Sequence, residues 1–404
     1  MSPRTPLCSV PDALQALKRG EFVIVIDDED RENEGDLVLP AEFVTPEKIA
    51  FMIRYTGGVV CLSLSKAIAD TLDLPPMVQK NTSQRGTPYT VSIESAKGVT
   101  SGISAGDRAT TILTAIKKGA TPEDLSRPGH VFPLRAHEGG VLHRAGHTEA
   151  SVDLCRLAGL REGGVISELM HDDGSMMRLP DIQIFAKKFK IPILTIADLI
   201  EYRRKTESLI TLSARTGLDT THGTFVFSVY RDILGQEHVA LSMGKIEKTK
   251  PVLVRVHSEC VTGDVFHSLH CDCGGQLDLA MQKIAEVGTG VIVYLRQEGR
   301  GIGLTNKIRA YGLQHAGLDT VDANRALGLP DDLREYGTGA QILKDLGVGK
   351  MRLLTNNPKK VIGLKGYGLE ITEEVPLEIA PKSAKQKKYL STKKKRMGHT
   401  LRKV

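Results

Sequence analysis

Three cysteines in the second half of the chain are spaced closely enough to bind one metal ion. Cys260, Cys271 and Cys273 lie within fourteen residues and are half of the six cysteines in the sequence. Zn²⁺ accepts thiolate ligands in a tetrahedral arrangement and undergoes no redox change. Three protein ligands would leave one position for water, as at a catalytic zinc, whereas His267 or His270 as a fourth ligand would make the site structural. The spacing leaves both alternatives open, with unliganded core cysteines as a third.

An acidic segment in the first half offers ligands for a different metal. Residues 27–36 contain seven acids, together with Asn33 and Gly35. Such a run is most often a solvated loop, because dense like charges repel one another. This one directly follows an apolar strand candidate at 22–26, and α/β proteins commonly bind ligands at strand ends. Carboxylate and amide oxygens suit Mg²⁺, so the segment predicts a magnesium site.

A third segment of the sequence combines glycine, arginine and histidine before a predicted helix. Residues 139–153 read as a loop that leads into a helix, with Thr148 as a candidate N-cap. Helix N-termini with a nearby arginine, here Arg144, bind phosphate through oriented amides. His147 is a candidate metal ligand or acid–base group, although a single histidine is more often structural. The combination predicts a phosphate-binding helix start.

Polar and glycine-rich segments follow the cysteines. The segment 297–304 comes directly after a strand candidate and carries Arg300, but it matches neither the Walker A nor the GxGxxG pattern. Further hydroxyl, amide and charged groups occur at 317–324, 332–336 and 354–360. An arginine beside a phosphate normally stabilises charge. These segments are therefore candidates for binding a phosphate-bearing ligand.

Two domains are expected, because 404 residues exceed the size at which one core keeps growing. The pattern of strand and helix candidates resets near 203–208, which predicts domains at 1–205 and 206–404. The predicted fold is α+β or α/β, with a mixed sheet flanked by helices in each domain. Strands are predicted at 22–26, 59–64, 90–93, 192–196, 223–230, 238–242, 251–256 and 290–295. Helices are predicted at 108–118 (with an N-cap at Ser104), 197–204 and 276–287.

The composition is that of a globular protein, with 41% hydrophobic and 25% charged residues. No apolar run approaches the roughly 18–20 residues that span a bilayer, and the first residues lack a signal-peptide pattern. Cys8, Cys61 and Cys155 are isolated in sequence, which fits a reducing compartment. We therefore expect a cytoplasmic protein without a membrane partner.

The net charge of +6 is concentrated at one end of the chain. Residues 382–404 carry ten Lys or Arg and no acid, so the other residues sum to −4. A basic tail can indicate nucleic acid or an anionic surface, but Tyr389 is its only aromatic residue. The positive electrostatic field of this tail would also attract a small substrate that carries phosphate. No nucleic-acid partner is predicted.

The first half resembles 3,4-dihydroxy-2-butanone-4-phosphate synthase over about residues 8–203. The strings that carry the resemblance are 27–36, 127–135, 144–148 and 167–174. The resemblance implies conversion of D-ribulose 5-phosphate to L-3,4-dihydroxy-2-butanone 4-phosphate and formate, with Mg²⁺ or Mn²⁺ held by Glu32 and His147. It implies catalytic roles for His130 and Glu168. The implied sugar-phosphate contacts are Arg31, Glu32, Asp36, Arg144, His147, Thr148 and Glu168.

The second half resembles GTP cyclohydrolase II across about residues 206–400, so the whole chain resembles the bifunctional riboflavin-biosynthesis enzymes. The resemblance implies Zn²⁺ on Cys260, Cys271 and Cys273, and a homodimer. The implied GTP contacts are Arg255, Val256, His257, Ser258, Glu259, Gln276, Glu298, Gly299, Arg300, Thr320, Thr355 and Lys360. The implied catalytic residues are Asp332 as proton acceptor, Arg334 as nucleophile and Tyr311. Because a guanidinium stays protonated, electrostatic stabilisation remains an alternative role for Arg334.

Three hypotheses about the whole chain follow from these observations. In the first, both halves are active enzymes with separate sites. In the second, only one half is active. In the third, the cysteines, a histidine and the basic tail form a zinc-stabilised nucleic-acid binder, which predicts a closed four-ligand zinc site. The third hypothesis leaves the acidic segment 27–36 unexplained.

Overall fold

The chain divides into two compact units, Met1–Arg203 and Arg204–Val404. None of the helices in the described part of the chain combines the length and apolar character needed to cross a membrane. The computed structural model describes residues 7–57, 59–83, 85–315, 318–329, 336–357, 361, 364, 367–381, 383, 386–387, 390–391 and 394.

The first unit alternates strands and helices. Its helices are α1 Val10–Lys18, α2 Pro46–Tyr55, α3 Lys66–Thr71, α4 Ala105–Ile116, α5 His147–Leu157, α6 Leu179–Phe189 and α7 Ile196–Thr206. Its strands are β1 Val23–Ile26, β2 Gly35–Pro40, β3 Cys61–Leu64, β4 Ile93–Ser95, β5 Leu125–Arg135, β6 Gly163–Glu168 and β7 Ile193–Thr195.

The strands of the first unit form one mixed sheet in the order β4-β5-β3-β6-β2-β1-β7. Strand β1 pairs antiparallel with β2 and parallel with β7. Alternate residues of β1 pack into different clusters, with Ile24 on one side and Val23 and Val25 on the other. The sheet is therefore buried on both faces, which explains why β1 is a continuous apolar run. The acidic segment connects β1 to β2.

The second unit has the same general composition of elements. Its helices are α8 Val261–Asp264, α9 Cys273–Val287, α10 Gly303–His315, α11 Thr320–Ala326 and α12 Gly337–Asp345. Its strands are β8 Ile210–Thr220, β9 Gly223–Asp232, β10 Glu237–Met243, β11 Pro251–Ser258, β12 Gly290–Leu295, β13 Lys350–Leu354 and β14 Glu370–Val375.

The sheet of the second unit has the order β14-β13-β11-β12-β10-β9-β8. Strands β13, β11 and β12 are parallel neighbours, whereas β12, β10, β9 and β8 pair antiparallel. Parallel strands β11 and β12 are in register from Leu253 with Gly290 to Ser258 with Leu295. Both units thus contain a mixed sheet with helices, which confirms the predicted fold class.

The predicted strands were those rich in apolar and β-branched residues. The prediction at 90–93 is shifted, because strand β4 begins at Ile93 and Thr90 makes only an isolated bridge with Pro76. Strands β2, β5, β6, β8, β13 and β14 were not predicted. In β8 most residues are exposed although Ile210, Leu212 and Ala214 alternate with polar residues, so the strand depends on pairing with β9. Such pairing is decided by tertiary structure.

The N-terminus of α4 gives a stability prediction. The Ser104 hydroxyl accepts a hydrogen bond from the Asp107 N–H over 3.0 Å, so Ser104→Ala leaves that donor without its cap. We expect a loss of about 1 kcal/mol in the free energy of unfolding, measured by urea denaturation. Ser104→Asp keeps an acceptor and should lose much less. Equal losses in both variants would contradict a capping role.

Candidate active sites and metal centres

The acidic segment of the first unit is a hairpin loop organised around Asp27. The Asp27 side chain is only 1% exposed, and it accepts hydrogen bonds from the main-chain N–H groups of Glu32 (3.0 Å) and Glu34 (2.9 Å). Arg31 donates to Asp27 over 2.8 Å and to Glu32 over 2.7 Å. One buried carboxylate therefore folds the loop and places Glu32 at the end of the sheet.

Four residues of this region, here called the acidic cluster, come together from three elements: Asp27, Glu32, Asp36 and His147. His147 is the first residue of α5, and its Nδ1 lies 3.7 Å from a carboxylate oxygen of Glu32 and 3.7 Å from one of Asp36. Ligand atoms of Asp27, Glu32 and His147 all lie within 4.8 Å of one another. Asp27 was not among the predicted ligands, although its position directly after β1 is a signal for it.

Burial and neighbouring charges determine the protonation of this cluster. The neighbouring His147 ring, together with Arg31, lowers the pKa of Glu32 to about 2 in spite of its burial. Burial raises the pKa of Asp36 to about 7, and the neighbouring charge of Glu168 adds to this effect. Burial alone would lower the pKa of His147, but Asp36 and Glu32 raise it to about 9.

The acidic cluster fits a divalent cation. Asp36 Oδ1 and His147 Nε2 are buried and have no hydrogen-bond partner, which is unusual for buried polar atoms. A hard cation would bind the carboxylate oxygens and offset the repulsion between the acids. The residues present therefore suit Mg²⁺ or a similar ion.

Two arginines converge beside the cluster at the start of α5. A Cβ atom on Gly146 would crowd the ends of the Arg144 and Arg31 side chains, so a larger residue here would require both guanidinium groups to shift. Gly146, rather than Thr148, is the N-cap residue of α5, and Thr148 lies buried in the first turn. The predicted N-cap was therefore wrong. Buried Glu149, which was not predicted, holds Arg144 over 2.7 Å.

The two predicted catalytic residues of this unit lie in different surroundings. Glu168 ends β6 and is the register partner of Asp36 on β2, so it borders the acidic cluster. His130 lies on β5, which β3 separates from β6 in the sheet. Its Nδ1 lies 2.7 Å from Oε2 of Glu94, a residue that was not predicted. The structure thus brings Glu168 to the cluster and places His130 in a separate pair with Glu94.

The three cysteines of the second unit, here called the sulfur cluster, come together from two segments. Cys260 follows β11, whereas Cys271 and Cys273 lie at the start of α9. The Sγ atoms of Cys260 and Cys271 are 3.6 Å apart, and all three sulfurs lie within 4.8 Å. Two sulfurs bound tetrahedrally at about 2.3 Å from zinc would be about 3.8 Å apart, so the spacing fits Zn²⁺.

Neither candidate histidine joins the sulfur cluster. Among the described residues, the potential ligand atoms grouped here are the three cysteine sulfurs alone. His267 is exposed, and the His270 ring packs against Tyr311 with centroids 4.9 Å apart. The arrangement corresponds to the three-ligand alternative.

The sulfur cluster borders a large cavity at the carboxyl ends of parallel strands. Strands β13, β11 and β12 end side by side, and open α/β sheets bind ligands at this edge. The cavity measures about 1060 Å³ including the space open to solvent, which is enough for a nucleotide. Gly299 and Arg300 both have positive φ in the turn after β12, a conformation that glycine adopts freely but that strains the backbone at Arg300.

Most of the predicted GTP contacts line this cavity. They are Arg255, His257, Ser258, Glu259, Gln276, Glu298, Gly299, Arg300 and Thr355, and Tyr311 also lines it. The Val256 side chain instead lies in the hydrophobic core. Asp332, Arg334, Lys360 and the side chain of Thr320 lie outside the described residues. Asn356 and Asn357 line the cavity and were not singled out as contacts.

Lys307 is a further cavity residue that the sequence analysis missed. Its Nζ lies 3.1 Å from Cys260 Sγ and 2.8 Å from Glu298 Oε1. Burial alone would lower the pKa of Lys307, but the contact with Glu298 and the neighbouring sulfur raise it. Contacts with the other two sulfurs and with Lys307 lower the pKa of Cys260. Lys307 lies one helical turn before Tyr311, and this spacing was the sequence signal that could have identified it as a site residue.

Comparison with known proteins assigns a different family to each half of the chain. Residues 11–202 match the family 3,4-dihydroxy-2-butanone 4-phosphate synthase, and residues 211–376 match GTP cyclohydrolase II. Riboflavin biosynthesis protein RibBA of Salinispora tropica is 55% identical over 98% of this chain and 100% of its own length. The protein of the same name from Aquifex aeolicus is 56% identical over 97% of both chains.

Other relatives extend the comparison. The chloroplastic bifunctional riboflavin biosynthesis protein RIBA 1 of Arabidopsis thaliana is 52% identical over 98% of this chain and 74% of its own. A crystal structure of RibBX, a two-domain 3,4-dihydroxy-2-butanone 4-phosphate synthase from A. baumannii, is 38% identical, with a TM-score of 0.68 over 91% of this chain and 100% of that chain. The chain belongs to the family of bifunctional riboflavin biosynthesis proteins, with a 3,4-dihydroxy-2-butanone 4-phosphate synthase domain followed by a GTP cyclohydrolase II domain.

Proposed function

We propose that this chain makes both riboflavin precursors, at two separate sites. The first unit converts D-ribulose 5-phosphate to L-3,4-dihydroxy-2-butanone 4-phosphate and formate. The second hydrolyses GTP to 2,5-diamino-6-(5-phosphoribosylamino)pyrimidin-4(3H)-one, formate and pyrophosphate. The observation that carries this proposal is the presence of a metal-compatible cluster in each unit, one of carboxylates and histidine and one of thiolates. The proposed assembly is a homodimer, as the family resemblance implies.

In the first unit, Glu32 and His147 would hold Mg²⁺ or Mn²⁺. A bound divalent cation would polarise the ketose carbonyl and stabilise the enediolate. The guanidinium groups of Arg31 and Arg144, which meet over Gly146 at the start of α5, would bind the phosphate.

Proton transfers in the sugar reaction need groups that gain and lose protons near neutral pH. Asp36 suits this because burial raises its pKa to about 7, close to the pH at which general acids and bases are most effective. Glu168, its neighbour across the β2–β6 pair, would act with it. His130 would act through the ring nitrogen opposite to the one that contacts Glu94.

In the second unit, Cys260, Cys271 and Cys273 would hold Zn²⁺ with one open position. A bound zinc would supply a Lewis acid that lowers the pKa of coordinated water toward 7, as hydrolysis at C8 of guanine requires. Arg300 in the turn after β12 and Arg255 on β11 line the same cavity and would neutralise phosphate charge. Asp332 and Arg334 keep their proposed roles as proton acceptor and as nucleophile or electrostatic stabiliser.

A single assay separates the hypotheses about the whole chain. The purified protein is incubated with GTP or with ribulose 5-phosphate, in the presence of Mg²⁺ and Zn²⁺, and formate is measured. Formate from both substrates supports two active sites, whereas formate from one substrate indicates one active half. Formate from neither substrate would contradict the proposed function and favour the nucleic-acid binder.

Variants of the two clusters test the independence of the sites. Cys271→Ser removes a sulfur ligand and should abolish formate release from GTP, because zinc binding to thiolates provides the Lewis acid. Glu32→Ala removes a carboxylate and should abolish formate release from ribulose 5-phosphate. Each variant serves as the control for the other, since each should retain the second activity. Loss of both activities in either variant would falsify the picture of independent sites.

The packing of the sulfur cluster predicts a metal-binding defect away from the ligands themselves. A Cβ atom on Gly263 would lie 2.7 Å from Cys271 Sγ and 3.1 Å from Cys260 Sγ, so Gly263→Ala should displace the sulfurs. We expect a fall of about 10–100-fold in zinc affinity, measured by competition with a chelator. Gly312→Ala is the matched control, because a Cβ there meets nothing within 4 Å. Unchanged affinity in Gly263→Ala would contradict zinc binding at this cluster.

A further inference from the structure

A buried lysine contacts both a candidate metal ligand and a carboxylate in the GTP site. Lys307, on α10, is 8% exposed. Its ammonium group donates hydrogen bonds to Cys260 Sγ over 3.1 Å and to Glu298 Oε1 over 2.8 Å. Buried lysines are rare unless they are paired, so this one has a specific electrostatic environment.

The carboxylate partner is held in place by the main chain. Glu298 Oε2 accepts the N–H of Val261 over 2.7 Å, and its Oε1 accepts the N–H of Gly299 over 2.7 Å. Val261 directly follows Cys260 in sequence, so Glu298 connects the cysteine loop to the turn after β12. The ammonium of Lys307 is therefore positioned between a fixed carboxylate and a sulfur atom.

The sulfur cluster needs a cation because of its own charge. Three thiolates and one Zn²⁺ sum to one negative charge, and Cys260 and Cys271 are buried. Strong donation of electrons from three thiolates also weakens the metal as a Lewis acid. A hydrogen bond from an ammonium group to a ligating sulfur reduces this donation, and outer partners of this kind tune metal sites generally.

We propose that Lys307 is a positioning residue of the GTP site, which donates a charge-assisted hydrogen bond to Cys260 and limits electron donation from the sulfur cluster to its metal. The proposal rests on the proposed function of the second unit and deepens it. Glu298 has the related role of orienting Lys307, since both its oxygens already accept hydrogen bonds from the chain. The Lys307 side chain lies 5.8 Å from the centroid of the Tyr311 ring, which also limits its position.

The test uses the full-length protein with Co²⁺ in place of zinc. Lys307→Met removes the charge and keeps an unbranched side chain, whereas Lys307→Arg keeps a cation. Lys344→Met, at an exposed lysine on α12 of the same unit, is the matched control. The measurement is the sulfur-to-cobalt charge-transfer absorption, which requires a thiolate ligand. Cobalt at the acidic cluster of the first unit does not contribute to this band.

Loss of the hydrogen bond raises the energy of the sulfur lone pairs, so the band of Lys307→Met should move to longer wavelength. The Lys344→Met variant should show the same band as the unaltered protein. The band of Lys307→Arg should be shifted less from this position than the band of Lys307→Met. If Lys307→Met binds no cobalt, the spectrum of Lys307→Gln is measured instead. Its band should also move to longer wavelength, by a smaller amount. An unshifted band in the cobalt-bound neutral variant would overturn the proposal.

Kinetics of the zinc enzyme provide the second measurement. With GTP, Lys307→Met should lower kcat by about 10–100-fold, with a smaller change in KM, and move the acidic limb of the pH profile to higher pH. Formate release from ribulose 5-phosphate should be unchanged, which controls for folding of the chain. An unchanged pH profile would contradict the proposal. If the unaltered protein releases no formate from GTP, the proposed function fails, and the cobalt spectrum still tests Lys307.

Discussion

Repulsion between buried anionic ligands is the constraint on which both sites of this protein depend. Each site gathers negative groups where water is scarce, and like charges in such places are costly unless cations accompany them. In the first unit Arg31 and His147 lie against the carboxylates of the acidic cluster. In the second unit Lys307 lies against Cys260. A cation from the chain, Arg31 or Lys307, thus lies beside each cluster, and a bound metal would supply further positive charge.

The scaffold reduces this repulsion with main-chain hydrogen bonds. Asp27 accepts two N–H groups of its own loop, and Glu298 accepts the N–H of the adjacent Gly299 and that of Val261 in the cysteine loop. Asp264 likewise accepts the N–H of Cys260 over 2.9 Å, which fixes the first cysteine at the end of β11. These carboxylates are oriented by the backbone, and the backbone is oriented by a sheet. Both sites therefore lie at strand ends, where a rigid sheet meets loops that can bind ligands.

The local sequence predicted the features that depend on neighbouring residues. Apolar β-branched runs such as 23–26 and 290–295 form central strands, and the serine at 104 caps α4. Features that depend on distant partners were missed or wrong. Thr148 has the side chain of an N-cap, yet Gly146 occupies that position, and the Arg31 side chain of the acidic segment lies beside it. The Glu94 partner of His130 comes from a neighbouring strand 36 residues away.

The sequence by itself determined which ligand types each half offers, since the thiols of Cys260, Cys271 and Cys273 favour Zn²⁺ and the carboxylates of segment 27–36 favour Mg²⁺. It also determined the family, through strings long enough to be specific. Only the tertiary structure decided which charges accompany those ligands and whether a histidine joins the sulfur cluster. Lys307 lies 47 residues beyond Cys260, and its ammonium reaches the sulfur only because α10 packs beside the loop after β11. Coulomb interactions depend on distance in space, which local sequence patterns do not contain.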